Sequence, residues 1–324
     1  NQTVNMSFFS GVWGQRLMKY GRPALRTSRL AVASGTIYML GYTTGMRRCI
    51  EDRDGSIKEL MAGVLAKQAH GSNLLSRTAK ASLMVQRIGQ DLIVAAQAHL
   101  AESMQREPAA DANDDPRADK LRALQRLDWQ FLVIDEGSSN AFVADTLPGF
   151  VFVHRGLVEL MDEDELAFVI GHELSHYICD HSVSHQTLKG FFTLFQIVAL
   201  ASLDPTGVLS LLLELPIASS LFSVGVQLPL SRQHEHQADA MGLMLAARTC
   251  REPRRAIKAH EQLAAIEERH GHDTSTTSLG ASHPSFRERI DNLAALLPEA
   301  EALYETSGCY RIKSALKRVG IIRE

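Results

Sequence analysis

His172 and His176 stand four residues apart with Glu173 between them, in the run His172-Glu173-Leu174-Ser175-His176. On a helix, residues at that spacing share a face, so two imidazoles would meet one metal ion while Glu173 projects beside them. This is the spacing of a zinc hydrolase helix. Catalytic zinc takes three protein ligands and leaves a fourth position for water, whose pKa falls to about 7 and whose proton a neighbouring carboxylate removes. Glu173 fits that base role. The competing reading is a pair of surface histidines on a polar helix face.

A third ligand is needed, and the run Ser231-Arg232-Gln233-His234-Glu235-His236-Gln237-Ala238-Asp239 offers one. It opens a second helical pattern that continues through Met241, Leu245 and Ala246. Glu235 and Asp239 share a face, so Glu235 would bind the ion while Asp239 accepts a hydrogen bond from a ligand imidazole. His234 and His236 are rival ligands. Arg232, one turn before Glu235, suits ion pairing beside the site better than chemistry. Cys179 lies seven residues beyond His172 and reads as a small buried hydrophobe. His181 and His185 extend the histidine series; histidines at a helix end on a polar face account for them as well as a second metal would.

The elements that must hold these groups are legible around them. Asp162 followed by Glu165 reads as a capping box, with acids crowding the positive end of the dipole. Leu166, Val169, Ile170, Leu174 and Tyr177 then recur at helical spacing. Trp129–Asp135 and Phe150–His154 are rich in β-branched and aromatic residues and read as strands, linked through the polar 136–140 stretch and the Pro148-Gly149 turn. Residues 56–105 read as helices, with one stripe at Ile57, Leu60, Met61, Val64 and Leu65 and another at Leu83, Val85, Ile88, Leu92, Ile93 and Ala96. Glu107–Asp119, with two prolines and several acids, reads as a loop. Ala256–Glu268 is amphipathic, 270–278 is a polar loop, and Phe286, Ile290, Leu293 and Leu296 mark a further helix entered at His283-Pro284.

The chain has 324 residues, 45% hydrophobic and 22% charged, enough for one large domain with extensions or for two. Residues 1–50 carry seven basic groups and no acid; removing that +7 from the net −3 leaves −10 for the rest, which argues against a nucleic-acid surface. The sequence opens on Asn1 rather than Met, so a leader is expected either to have been removed or to lie outside the sequence. Segment 1–29, basic and hydroxyl-containing, has the composition of a mitochondrial presequence or a membrane-flanking arm. Leu30–Met46 is an uncharged run of seventeen, the lower edge of a spanning helix, and Gly35, Gly41 and Gly45 weaken it. A transmembrane anchor is favoured over a buried or interfacial helix. Between the two ligand runs, 190–230 carries only Asp204 and Glu214 as charges. A membrane-dipping hairpin and a buried helical hairpin both suit it. The tail, 301–324, reads as a basic amphipathic helix. Four cysteines with no C-x-x-C pair make a disulfide framework unexpected at this size and leave the redox compartment open.

The two ligand runs together resemble the membrane metalloendopeptidases of family 48, which include the heat-shock protease HtpX and the CAAX prenyl proteases. Supporting segments follow in order: Val85-Gln86-Arg87-Ile88-Gly89, Trp129–Asp135, Asn140-Ala141-Phe142, Pro148-Gly149 before Val151-Phe152-Val153, Gly156-Leu157, and Ser282-His283-Pro284-Ser285 with Arg289-Ile290. The resemblance covers roughly 83–295. The basic leader and single early hydrophobic segment are most similar to the stress-activated member of the mitochondrial inner membrane. His154-Arg155 stand before Gly156 where a small or hydroxyl residue is usual.

The resemblance implies a fold that is mostly α with a small β-sheet, a zincin-like (gluzincin) metalloprotease domain over 126–300 behind a helical region at 47–125 and the membrane segment. It implies one Zn²⁺ per chain on His172, His176 and Glu235, with Glu173 catalytic and Asp239 orienting a ligand. His283 would lie near the metal, as an oxyanion stabiliser or an inhibitory fourth ligand. Strands at Asn140, Ala141, Phe142 and at Val151, Phe152, Val153 would edge the cleft and pair with an extended substrate. The implied function is membrane-anchored cleavage of membrane or misfolded proteins in mitochondrial quality control, at the inner membrane, with protein substrates, homo-oligomers or membrane-complex partners, and no nucleic acid. The rivals are a non-catalytic zinc-holding subunit of a mitochondrial membrane complex and a soluble periplasmic protease.

Overall fold

The computed structural model describes residues 60–64, 66–67, 71–108, 115–144, 147–181, 228–270, 286–306 and 309. The arm at 1–29, the segment at 30–46, all but the last residues of the 190–230 run, His283, and the tail from 307 on except Cys309 lie outside the described residues. Among the described residues no helix is long and apolar enough to cross a membrane.

Among the described residues, beyond helical positions at 60–64 and 66–67, seven helices and three strands follow in chain order: α1 Lys80–Arg106, α2 Pro116–Arg126, β1 Gln130–Ile134, β2 Ala141–Val143, β3 Phe150–His154, α3 Arg155–Leu160, α4 Glu163–Ile178, α5 Leu228–Arg248, α6 Arg255–His270 and α7 Phe286–Thr306. The architecture is mostly helical with one small sheet. The α1 stripe packs inward through Val85, Ile88, Leu92, Ile93 and Ala96, but Leu83, expected in it, is 59% exposed. The expected loop at 107–119 is helical from Pro116. Asp115 caps the new helix through Arg117 N–H at 2.9 Å, and proline at the first position gives up only an N–H that has no helical partner.

The strands form a sheet in the order β1-β3-β2, β1 parallel and β2 antiparallel to β3. Val151, Phe152 and Val153 therefore sit on the middle strand, fully buried, with ladder bonds on both sides. A substrate edge at Val151–Val153 is ruled out, because no backbone edge of β3 is left for an added strand. The turn into β3 needs Gly149, whose φ of +86° lies in the left-handed region and whose carbonyl receives Gln130 N–H at 2.8 Å. His154 closes β3 inside the core, its Nδ1 2.6 Å from Ser138 Oγ, and Arg155 turns outward to Asp135 and Glu159, each at 2.7 Å. That is how the unusual pair before Gly156 is accommodated.

Cys250 and Cys309 form a disulfide, their Cα atoms 4.9 Å apart, where no disulfide framework is expected at this chain length. They lie 59 residues apart in sequence, so the fold, not local spacing, brings the ends of α5 and α7 together. Cys179 is a free thiol, and burial raises its pKa.

Candidate metal centre

The capping box at the start of α4 is present in full. Asp162 Oδ1 accepts from the Asp164 and Glu165 N–H groups at 3.0 and 2.9 Å, and Glu165 Oε2 accepts from Asp162 N–H at 2.9 Å. Arg255 and Lys258 of α6 add charge partners to Asp162 and Glu165 at 3.0 and 2.6 Å. Every residue from Glu165 to Ser175 is buried, so α4 is enclosed on all sides rather than on the one face its apolar spacing suggests. A helix fixed that firmly holds its side chains at defined positions, which is what a metal site requires.

Two glycines let α5 approach α4 at the level of the histidines. A Cβ on Gly242 would stand 2.8 Å from His172 N, and one on Gly171 3.2 Å from Gly242 O. This close crossing brings Glu235 to the paired imidazoles. His172 Nε2 and His176 Nε2 are 3.0 Å apart, and the Glu235 carboxylate is 3.4 Å from each. All three donors lie within 4.8 Å of one another. Ligand bonds of 2.0–2.2 Å around a tetrahedral ion put donors about 3.3 Å apart, so the set fits a divalent metal. Glu173 sits beside it at 6% exposure.

The rival ligands are placed elsewhere. His236 contacts Asn292 at 3.0 Å and Glu288 at 3.4 Å, on the α7 side. His234 stacks on His181 with ring centroids 4.1 Å apart. Among the described residues, His172, His176 and Glu235 are the one group with metal-binding spacing. His181 itself is 3% exposed, which corrects its reading as a polar-face histidine.

Asp239 lies against His172, with Oδ1 2.9 Å from Nδ1. It also takes two contacts the sequence reading missed: His260 Nε2 at 3.1 Å and the Arg289 guanidinium at 2.8 and 2.7 Å. A third nitrogen of Arg289 reaches Glu235 at 3.0 Å. Arg289 therefore holds the place given to Arg232, which is exposed and makes no ion pair among the described residues. His260 carried a legible signal, since it falls between Ala256 and Leu263 on the apolar face of α6. Arg289 had none beyond its place in the final motif.

Charge is settled within this cluster. Burial alone would raise the Asp239 carboxyl, but bonds from Arg289, His172 and His260 hold it well below the usual carboxylate range. Burial likewise opposes a charged His172, yet Asp239 and Glu235 outweigh it and lift its pKa to about 9. His260 goes the other way: burial pushes it down to about 4, and Asp239 only partly offsets this. The neutral His260 is thus a donor to Asp239, and His172 is the imidazole whose proton a metal would replace.

The sequence pattern of peptidase family M48 matches residues 105–297. The mitochondrial metalloendopeptidase OMA1 of Schizosaccharomyces pombe is 36% identical over 192 residues, 59% of this chain and 53% of that protein. The metalloendopeptidase OMA1, mitochondrial, of Bos taurus is 32% identical over 193 residues, 58% of this chain and 36% of its own length. A protease HtpX homolog of Streptococcus uberis is 30% identical over 189 residues, 51% of this chain and 62% of that one. The chain thus spans about half or less of the two mitochondrial relatives. With more than half of its residues matched by the family pattern, and the paired histidines and Glu235 brought together inside that match, this chain belongs to peptidase family M48.

Proposed function

We propose that this protein is a zinc-dependent endopeptidase that cleaves membrane or misfolded proteins at the mitochondrial inner membrane. The observation that carries the reading is the convergence of His172, His176 and Glu235, with Glu173 buried next to them. Two imidazoles and a carboxylate are a zinc donor set used in hydrolysis. The named mitochondrial metalloendopeptidases that the chain resembles support the compartment and the substrate class.

His172, His176 and Glu235 would hold the ion. When bound, zinc supplies Lewis acidity, which acidifies water and polarises a peptide carbonyl. Glu173 takes the proton from the attacking water and passes it to the leaving amine, so that one carboxylate acts first as base and then as acid. Asp239 and Arg289 fix the orientation of His172 and the charge of Glu235. An extended substrate adds to the sheet at β2, the outer strand containing Ala141 and Phe142, with Asn140 at its entry.

The test is cleavage of an unfolded membrane protein by the purified chain, with and without chelator, alongside Glu173→Gln. Loss of cleavage in Glu173→Gln with one zinc still bound per chain is the expected result. Cleavage that survives either chelation or this substitution would overturn the proposal.

A further inference from the structure

We propose that His181 is a positioning residue that holds the ligand His176 in its metal-binding tautomer, with Gln237 fixing the proton on His181. The proposal rests on the metal-site reading above and deepens it. A ligand imidazole needs a partner on its second nitrogen to set its tautomer and ring angle. His172 has Asp239 for this purpose. On His176 the corresponding nitrogen, Nδ1, lies 2.9 Å from Nδ1 of His181.

The proton positions follow from the far end of the chain of contacts. Gln237 Oε1, 3.1 Å from His181 Nε2, is an acceptor, so His181 carries its proton on Nε2 and leaves Nδ1 bare. Bare Nδ1 of His181 then accepts from Nδ1–H of His176. His176 is left with an open lone pair on Nε2, the atom that faces His172 Nε2 at 3.0 Å and Glu235 Oε1 at 3.4 Å. With the Gln237 amide turned over, each donor becomes an acceptor and the proton lands on Nε2 of His176, closed to metal. Ligation and the amide orientation must therefore agree.

The backbone is built to deliver His181 to this place. Five residues beyond His176, a side chain on a continued helix would point well away from it. Instead α4 ends at Ile178 with Cys179 as its cap, and Asp180 takes φ of +54°, which turns the chain. Lys120 of α2 secures that turn, bonding Tyr177 O at 2.9 Å and Asp180 Oδ1 at 2.6 Å. The His181 ring is then clamped flat on His234, 10° from parallel.

The test measures zinc affinity of the full chain by competition with a chromophoric chelator, and follows the His176 Nδ1–H resonance in the zinc-loaded protein. His181→Phe keeps a ring to stack on His234 and removes both nitrogens. It should weaken zinc binding about 10- to 100-fold and abolish the resonance, with the melting of the metal-free protein close to the parent's. Gln237→Leu, at an exposed position that folding tolerates, should weaken zinc severalfold, and Gln237→Glu, which can only accept, should restore the parental value. A parent that binds one zinc together with His181→Phe and Gln237→Leu variants of equal affinity overturns this inference alone. A parent that takes up no zinc overturns the metal site and this inference with it.

Discussion

Arg289 grips Asp239 with two nitrogens, at 2.8 and 2.7 Å, fifty residues along the chain and 3% exposed. Its third nitrogen touches Glu235, so one buried guanidinium reaches both carboxylates of α5. Removing one partner of such a group leaves uncompensated buried charge, which costs about 3–5 kcal/mol. Arg289→Met should therefore lower the unfolding free energy of the metal-free protein by about that much. Arg289→Lys should not restore it, because a single ammonium cannot make the forked contact. Urea denaturation that leaves Arg289→Met within about 1 kcal/mol of the parent would remove the guanidinium from this role.

Gly242 decides how near α5 comes to α4. By helix propensity alone, alanine there should stabilise by about 0.5–1 kcal/mol. The added methyl would however stand 2.8 Å from His172 N and 3.0 Å from its Cα, both backbone atoms that cannot step aside. Overpacking of this kind costs about 1–3 kcal/mol, and contact should win over propensity. Gly242→Ala is expected to melt lower and to bind metal more weakly, since Glu235 rides on the displaced helix. A variant that melts higher than the parent would mean that the crossing is looser than described.

What could be read from the sequence was local. His172, Glu173 and His176, the Asp162 cap and the two main strands lie within single elements, where spacing carries the information. Glu235 was reachable because Asp239 lies one turn beyond it on the same face. The order of the strands was not reachable by composition, although Phe150–His154, apolar at nearly every position, already has the pattern of a strand covered on both faces. Arg289, His181 and the Cys250–Cys309 pair depend on which helix ends meet, and no periodicity reports that. His260 marks the boundary: its place on an apolar face was visible, while its partner was not.

His172 and His260 share Asp239 but are shifted in opposite directions, to about 9 and about 4 from an unfolded value near 6.5. The raised His172 lends stability that is complete below about pH 6.5 and lost as pH climbs through 9. The lowered His260 costs stability as pH falls from about 6.5 toward 4, because the unfolded chain then binds the proton more readily. Metal-free protein should be most stable near pH 6.5, each limb worth on the order of 3 kcal/mol at 1.4 kcal/mol per unit. Saturating zinc should flatten the alkaline limb by replacing the His172 proton, and His260→Phe should flatten the acid limb above pH 4. Denaturation curves with no maximum between pH 4 and 9 would contradict both assignments.

Cys250 and Cys309 join the chain just past α5 to the chain just past α7. Closing a loop of 59 residues removes unfolded-state entropy worth about 4 kcal/mol, so reduction or Cys250→Ser should lower the melting temperature sharply. Metal affinity of the folded protein should hardly change. Cys250 lies fifteen residues beyond Glu235, about 22 Å at 1.5 Å per helical residue, and α4 is secured independently by its cap and by Arg255 and Lys258. Stability and metal binding should therefore separate, which distinguishes this bond from Gly242, where substitution lowers both together. Thiol titration of the denatured chain should find two fewer reactive cysteines before reduction than after, and equal counts would show that the bond does not form.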